Sequence, residues 1–178
     1  MDPAEIRECF DYLIDSRERF LDSCRRVGWQ EFGSDRGASW GSMLLIFLHR
    51  LDVEEGWLQF AARGRSITEA PDRRPTDYTS FEDIARDGLS VAGATRTFLE
   101  NLTAGDLRRE VEIPHGPGRD VRTVEKILMH AFVDEVAHLG ELVSLLWQLK
   151  VEPPYLDWLD YHEVHSPECR SPGGTRPP

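Results

Sequence analysis

Apolar side chains recur at helical spacing in four long stretches of the chain. In the first, Ile6, Phe10, Leu13, Ile14, Phe20, Leu21, Cys24 and Val27 share one helix face. Asp2 is placed to cap this helix, Pro3 suits its first position, Glu5 completes a capping box and Gly28 supplies a stop. Residues 29–37 read as a loop. A second helix is predicted from Ser39 to near Gly64, with Trp40, Leu44, Phe47, Leu48, Leu51 and Leu58 on its stripe. Residues 63–79, rich in Pro, Asp, Arg and Thr, form a long exposed connection. Ser80 is a good N-cap for a third helix, with Asp83 three residues on and a stripe of Ile84, Leu89, Val91, Ala94, Phe98 and Leu102. Gly88 and Gly93 weaken that helix intrinsically and leave room for a close neighbour.

The period then changes. Val111 and Ile113 alternate with acidic residues, His115-Gly116-Pro117-Gly118 makes a turn, and Asp120-Val121-Arg122 returns, which predicts a small β-hairpin. A fourth helix runs from Val124, capped by Thr123, to about Lys150, and Pro153-Pro154 prevents its continuation. A short helix over 155–162 is expected to cap the bundle. Residues 166–178 are rich in Pro, Gly and Ser and read as a disordered tail. No internal repeat is visible. The expectation is an all-α fold, a four-helix bundle over residues 1–165 with a long crossover and a small hairpin before the last long helix.

Composition narrows the function classes. A formal net charge of −11 over 178 residues leaves no surplus of Lys or Arg to meet nucleic-acid phosphates or an anionic membrane surface. The longest apolar run, residues 43–48, is far short of the roughly 20 residues a bilayer needs. The acidic N-terminus does not read as a secretory signal. Three cysteines, Cys9, Cys24 and Cys169, lack paired spacing and read as free thiols of a reducing cytoplasm, with Cys9 and Cys24 as small core residues.

The chemistry concentrates in the fourth helix. His130, Asp134 and His138 are spaced i, i+4, i+8, which puts them on one face. Ile127, Ala131, Leu142 and Leu145 share that face, so it points into the bundle, where polar groups need partners. Two such groups one turn apart can bind one metal ion, with His49 of the second helix as the third ligand. Two histidines and a carboxylate leave positions open for water or substrate, a catalytic pattern acceptable to Zn, Ni, Fe or Mn. The same spacing also suits an Asp134–His138 ion pair without a metal. His162, His165 and Cys169 are ligand types too, but no fourth partner accompanies them and Pro167 interrupts a helix there.

The segment resembles the DinB-like metalloprotein superfamily, also called the DinB/YfiT-like fold. The family's fourth-helix pattern, approximately H-x-x-x-H-x-x-x-H-R-G-Q, is matched by His130, Asp134, His138, Leu139, Gly140 and Glu141. A second-helix pattern of His, an acidic residue five on and a Trp soon after is matched by His49, Glu54 and Trp57. The entry Ser39-Trp40-Gly41-Ser42 and the ending from Pro153 to Tyr161 are also similar. The resemblance implies a metal held by His49, Asp134 and His138. Asp134 stands where most members have His, and the mycothiol-dependent branch has a carboxylate there. Leu139 and Glu141 replace the usual Arg and Gln. His130 is expected either to hydrogen-bond to Asp134 or to a bound water, or to be a core histidine. Glu54 and His130 are the candidate catalytic side chains and Trp57 the candidate ligand platform. Their plainer readings are a solvated or salt-bridged Glu54 and a packing Trp57; Arg50 and Asp52 read as surface charge. The resemblance implies a metal-dependent thiol S-transferase or hydrolase acting on a small molecule, with a low-molecular-weight thiol as co-reactant, in a homodimer. A non-catalytic metal-binding or stress-associated bundle is the competing expectation.

Overall fold

The computed structural model describes residues 1–115, 118–159 and 161. Its framework is four long helices, α1 (Pro3–Val27), α3 (Met43–Glu55), α4 (Phe81–Glu100) and α6 (Val124–Gln148), with short helices α2 (Trp29–Gly33) and α5 (Ala104–Arg108). α1 and α3 each pack against both α4 and α6, so α1 lies diagonally across the bundle from α3. Most of the core between them is apolar, with Phe10, Phe20, Phe32, Phe47 and Leu142 fully buried, and it also encloses Arg17, Arg50, Glu54 and Glu135. Strands β1 (Glu110–His115) and β2 (Gly118–Thr123) pair antiparallel, with Glu110 opposite Thr123 and Ile113 opposite Asp120.

The expected helix starts follow from satisfied backbone donors. The Asp2 carboxylate accepts from the Ala4 and Glu5 amides while Glu5 accepts from the Asp2 amide, and Ser80 and Asp83 make the same reciprocal arrangement at α4. Thr123 caps α6 through the Lys126 amide. Three expectations are corrected. The segment after Gly28 is the short helix α2 rather than loop, because Phe32 buries itself against Phe47 and Phe81. The second long helix begins at Met43, with Ser42 as its cap, because Gly41 at φ +83° turns the chain just before it. Past Glu55 it continues as a π-helical turn over Gly56–Phe60 and a 3₁₀ turn over Ala61–Arg63. Finally, residues 151–157 are irregular and Trp158 and Leu159 form a bend and turn, so the helix expected from residue 155 has not begun by residue 159, although Tyr161 is helical. Tyr12 receives that segment, contacting the Trp158 and Tyr161 rings edge-on. His162, His165, Cys169 and the expected tail lie outside the described residues.

The crossover between α3 and α4 is anchored by one cation. Arg73, 6% exposed, donates to Asp52, Glu55 and Asp87 at 2.7–2.8 Å, and the Tyr78 hydroxyl donates to Asp87. Asp52 is therefore a tether for the crossover and not simply surface charge.

Candidate metal centre

α3 and α6 pack side by side, and the cleft at their junction holds the only group of three or more metal-ligand side chains among the described residues: His49, Asp134 and His138, with ligand atoms within 4.8 Å of one another. His49 Nε2 lies 3.2 Å from Asp134 Oδ2, and His138 Nε2 lies 3.7 Å from the same oxygen. The side chains are 19%, 31% and 11% exposed, so each reaches solvent from a largely desolvated position. Ligands bound at about 2.0–2.2 Å to one ion sit roughly 3–3.5 Å apart, so the donor atoms fit one small divalent cation with slight side-chain rotation. Two imidazoles and a carboxylate are the right donor chemistry for Zn, Ni, Fe or Mn.

Glu141 orients the cluster. Its Oε2 accepts from His138 Nδ1 at 2.6 Å. An ionised carboxylate offers only lone pairs, so the proton on that edge belongs to Nδ1, and Nε2 is the ring atom turned toward Asp134. Glu141 also accepts from the Ser39 amide at 3.0 Å and the Ser39 hydroxyl at 2.7 Å. Burial alone would raise the Glu141 pKa, but the hydrogen bonds from Ser39 and His138 outweigh it and hold the carboxyl below its ordinary range. Those bonds also fasten the loop before α3 over the site. There the Trp40 ring stacks on His49, with centroids 4.0 Å apart, and remains 44% exposed on its other side. Burial lowers the His49 pKa from 6.5, the Asp134 charge opposing it, so His49 is a neutral imidazole at neutral pH.

The cleft beside the cluster has a volume of about 620 Å³. Its walls are His49, Asp52, Trp57, His130 and Asp134 on the helical side and Ile67, Thr68, Ala70, Pro71 and Asp72 on the crossover side. The π-helical turn places Trp57 here, and Gly56 beside it faces Ile67 of the crossover, where a Cβ would make an ordinary contact at 3.7 Å. No Lys or Arg is among these lining residues, an electrostatic setting that favours cations.

The remaining candidates fall in different places. His130 is exposed and is not a core histidine; its ring meets the edge of Trp57 at 4.7 Å, and it stands outside the three-residue cluster. Trp57 is half-buried, packing on the core while lining the cleft. Glu54 is fully buried and turned away from the cleft, accepting from Arg17 of α1 and Thr95 of α4, so the interhelical salt bridge is its role. Arg50, read as surface charge, is fully buried and paired with Glu135. The sequence reading also missed the Glu141 and Trp40 roles. Glu141 had a usable signal, a carboxylate one turn after a ligand histidine. Trp40 had none, because its stacking depends on how the loop closes.

Fold and site together define a four-helix bundle with a two-histidine, one-carboxylate cluster between neighbouring helices. The chain belongs to the DinB family, whose model matches residues 1–171. It is similar to the crystal structure of a DinB-like protein from Bacillus subtilis, with a TM-score of 0.63 at 17% identity over 84% of this chain and 97% of that one. That likeness shows a shared fold. No curated protein matches the chain.

Proposed function

We propose that this chain is a divalent-metal-dependent enzyme of the thiol S-transferase or hydrolase type. The observation that carries the reading is the preset His138. Glu141 holds its Nδ1 proton, and its Nε2 is turned toward Asp134 and His49, two residues that line a cleft large enough for a small molecule. His49, Asp134 and His138 would hold the ion. When bound, it would lower the pKa of a thiol or water, supplying a nucleophile at neutral pH. Asp134 offsets part of the metal charge, Trp40 shields the outer face of His49 from water, and Trp57 offers a substrate an aromatic wall.

The co-reactant we assign is a low-molecular-weight thiol, in keeping with the mycothiol-dependent branch the carboxylate ligand resembles. The cleft lining carries no Lys or Arg, so an anionic substrate would find a permanent positive charge only in the metal. A homodimer belongs to the same proposal. The outer face of α6 exposes Val133, Val136 and Trp147 with Gly140 between them and no charge, the kind of surface two copies carrying −11 each can share. Sedimentation of the wild type against Gly140→Arg tests it, and a monomeric wild type would remove it.

The functional test is transfer of small thiols to electrophilic acceptors, and hydrolysis of activated esters and amides, by the metal-loaded chain. Turnover is expected in the wild type and at least 100-fold less in His138→Ala. Equal turnover in metal-free protein would overturn the mechanism. A metal-loaded protein inert toward every thiol and ester would return the chain to the metal-binding class.

A further inference from the structure

On each helix that carries the cluster, a buried ion-pair residue directly follows a ligand-type residue. Arg50 follows His49 on α3, and Glu135 follows Asp134 on α6. Successive helical residues project about 100° apart, so the first member of each pair faces the cleft while the second turns into the core. There Arg50 Nη2 donates to Glu135 Oε2 at 3.0 Å, with both side chains 0% exposed. The same oxygen lies 3.6 Å from Arg17 Nη2 of α1. Arg17 donates to Glu54, which also accepts from Thr95 of α4. Two guanidinium groups and two carboxylates therefore balance inside the bundle, with all four long helices contributing.

We propose that Arg50 and Glu135 are a positioning pair for the metal cluster, fixing the rotation and axial register of α3 against α6. The proposal rests on the metal reading above. Buried ion pairs add little net stability over well-packed apolar residues, and their best-attested use is to specify register. Apolar surfaces tolerate small slips because dispersion is non-directional, whereas a buried charge pulled off its partner has no solvent to turn to. The Arg50–Glu135 bond sits one residue from the 3.2 Å His49–Asp134 contact on both helices. A slip at the pair therefore reaches the ligand atoms undiminished. The Arg17–Glu54–Thr95 part of the network ties α1 and α4 to α3 and reaches α6 only through the longer 3.6 Å approach of Arg17 to Glu135, so the 3.0 Å Arg50–Glu135 bond is the direct link between the two ligand-bearing helices.

The test compares Arg50→Met, Glu135→Gln and the double variant Arg50→Met/Glu135→Leu in the full chain. Three readouts are taken: urea unfolding, Zn²⁺ titration, and the imidazole nitrogen resonances of His49 and His138 in metal-free protein. The double variant removes both charges and leaves Arg17 balanced by Glu54, so its stability should recover relative to the single variants. A positioning role predicts Zn²⁺ binding weakened tenfold or more in all three, unrecovered in the double, with the metal-free His49 resonances displaced. Affinity that recovers along with stability, or His49 resonances that do not move, would reduce the pair to charge balance and overturn the proposal. If the wild type binds no Zn²⁺, the metal reading fails separately. The metal-free His49 resonances then decide the positioning claim, which stands if the variants displace them and falls if they do not.

Discussion

Glu54→Gln replaces a fully buried carboxylate by an amide of nearly the same shape. The change removes the direct partner of Arg17, whose side chain is 5% exposed. The nearest remaining carboxylate is Glu135, 3.6 Å away and already bonded to Arg50. Two guanidinium groups then share one carboxylate inside the bundle. Burial brings the Arg17 pKa from 12.5 down to about 10, still well above neutral, so Arg17 cannot escape by releasing its proton. Breaking a buried pair from one side costs about 3–5 kcal/mol, out of about 5–15 kcal/mol for a typical domain. At a urea dependence of about 2 kcal/mol per molar, the unfolding midpoint should fall by about 1.5–2.5 M. Circular dichroism and tryptophan fluorescence follow the transition, and the double variant Arg17→Met/Glu54→Leu should regain most of the loss. Zn²⁺ stoichiometry of the folded variant should be unchanged, because Glu54 faces away from the cleft. A midpoint shift under about 0.5 M would refute the energetic argument. Lost Zn²⁺ binding in a variant that remains folded would put Glu54 back in the site.

Other predictions test the crossover, the site and a cap. Arg73→Met leaves Asp52, Glu55 and Asp87 without their shared cation and should cost about 2–4 kcal/mol. Thermal unfolding reads that cost, and limited proteolysis should cut residues 64–79 first; an unchanged digestion pattern would show that other contacts hold the crossover. Burial keeps the His49 pKa below 6.5, so between that value and its own lower pKa the folded chain binds fewer protons than the unfolded one. Metal-free protein should therefore lose stability as pH falls through that window, and His49→Gln should flatten the slope in urea titrations across pH 7 to 5; an identical slope in the variant would assign it elsewhere. Ser80→Ala removes the α4 cap and should cost about 1 kcal/mol by urea unfolding. No measurable change would show that the Asp83 half of the capping box suffices.

The bundle was legible in the sequence because its helices state their own ends. Asp2-Pro3, Ser80 with Asp83, and Thr123 each satisfy backbone donors locally, so three residues are enough to read them. α2 was hidden because Phe32 is helical for the sake of tertiary contacts with Phe47 and Phe81, which five residues of local sequence do not encode. The pairing of Asp134 with His138 was legible from i, i+4 spacing, whereas His49, on another helix, entered only as the candidate third partner. The charges behind them were harder to see, although each occupies a core position. Arg17 sits between Leu13 and Leu21, and Glu135 between Ala131 and Leu139, on stripes that are otherwise buried. A charged residue in an apolar register signals a buried partner on another helix, but the partner's identity depends on which helices are neighbours. Arg50 read as surface charge, and for Glu54 a catalytic, a solvated and a salt-bridged role all stayed open until α1 and α6 were set against α3.

We have proposed that His49, Asp134 and His138 hold one divalent ion. Elemental analysis of the purified chain after reconstitution tests it most directly, with His49→Ala, His138→Ala and, as a control, His162→Ala. The wild type and the control should each carry a single equivalent of transition metal per chain, and both cluster variants should lose it. Less than about a tenth of an equivalent in the reconstituted wild type, or undiminished retention in His138→Ala, would contradict it.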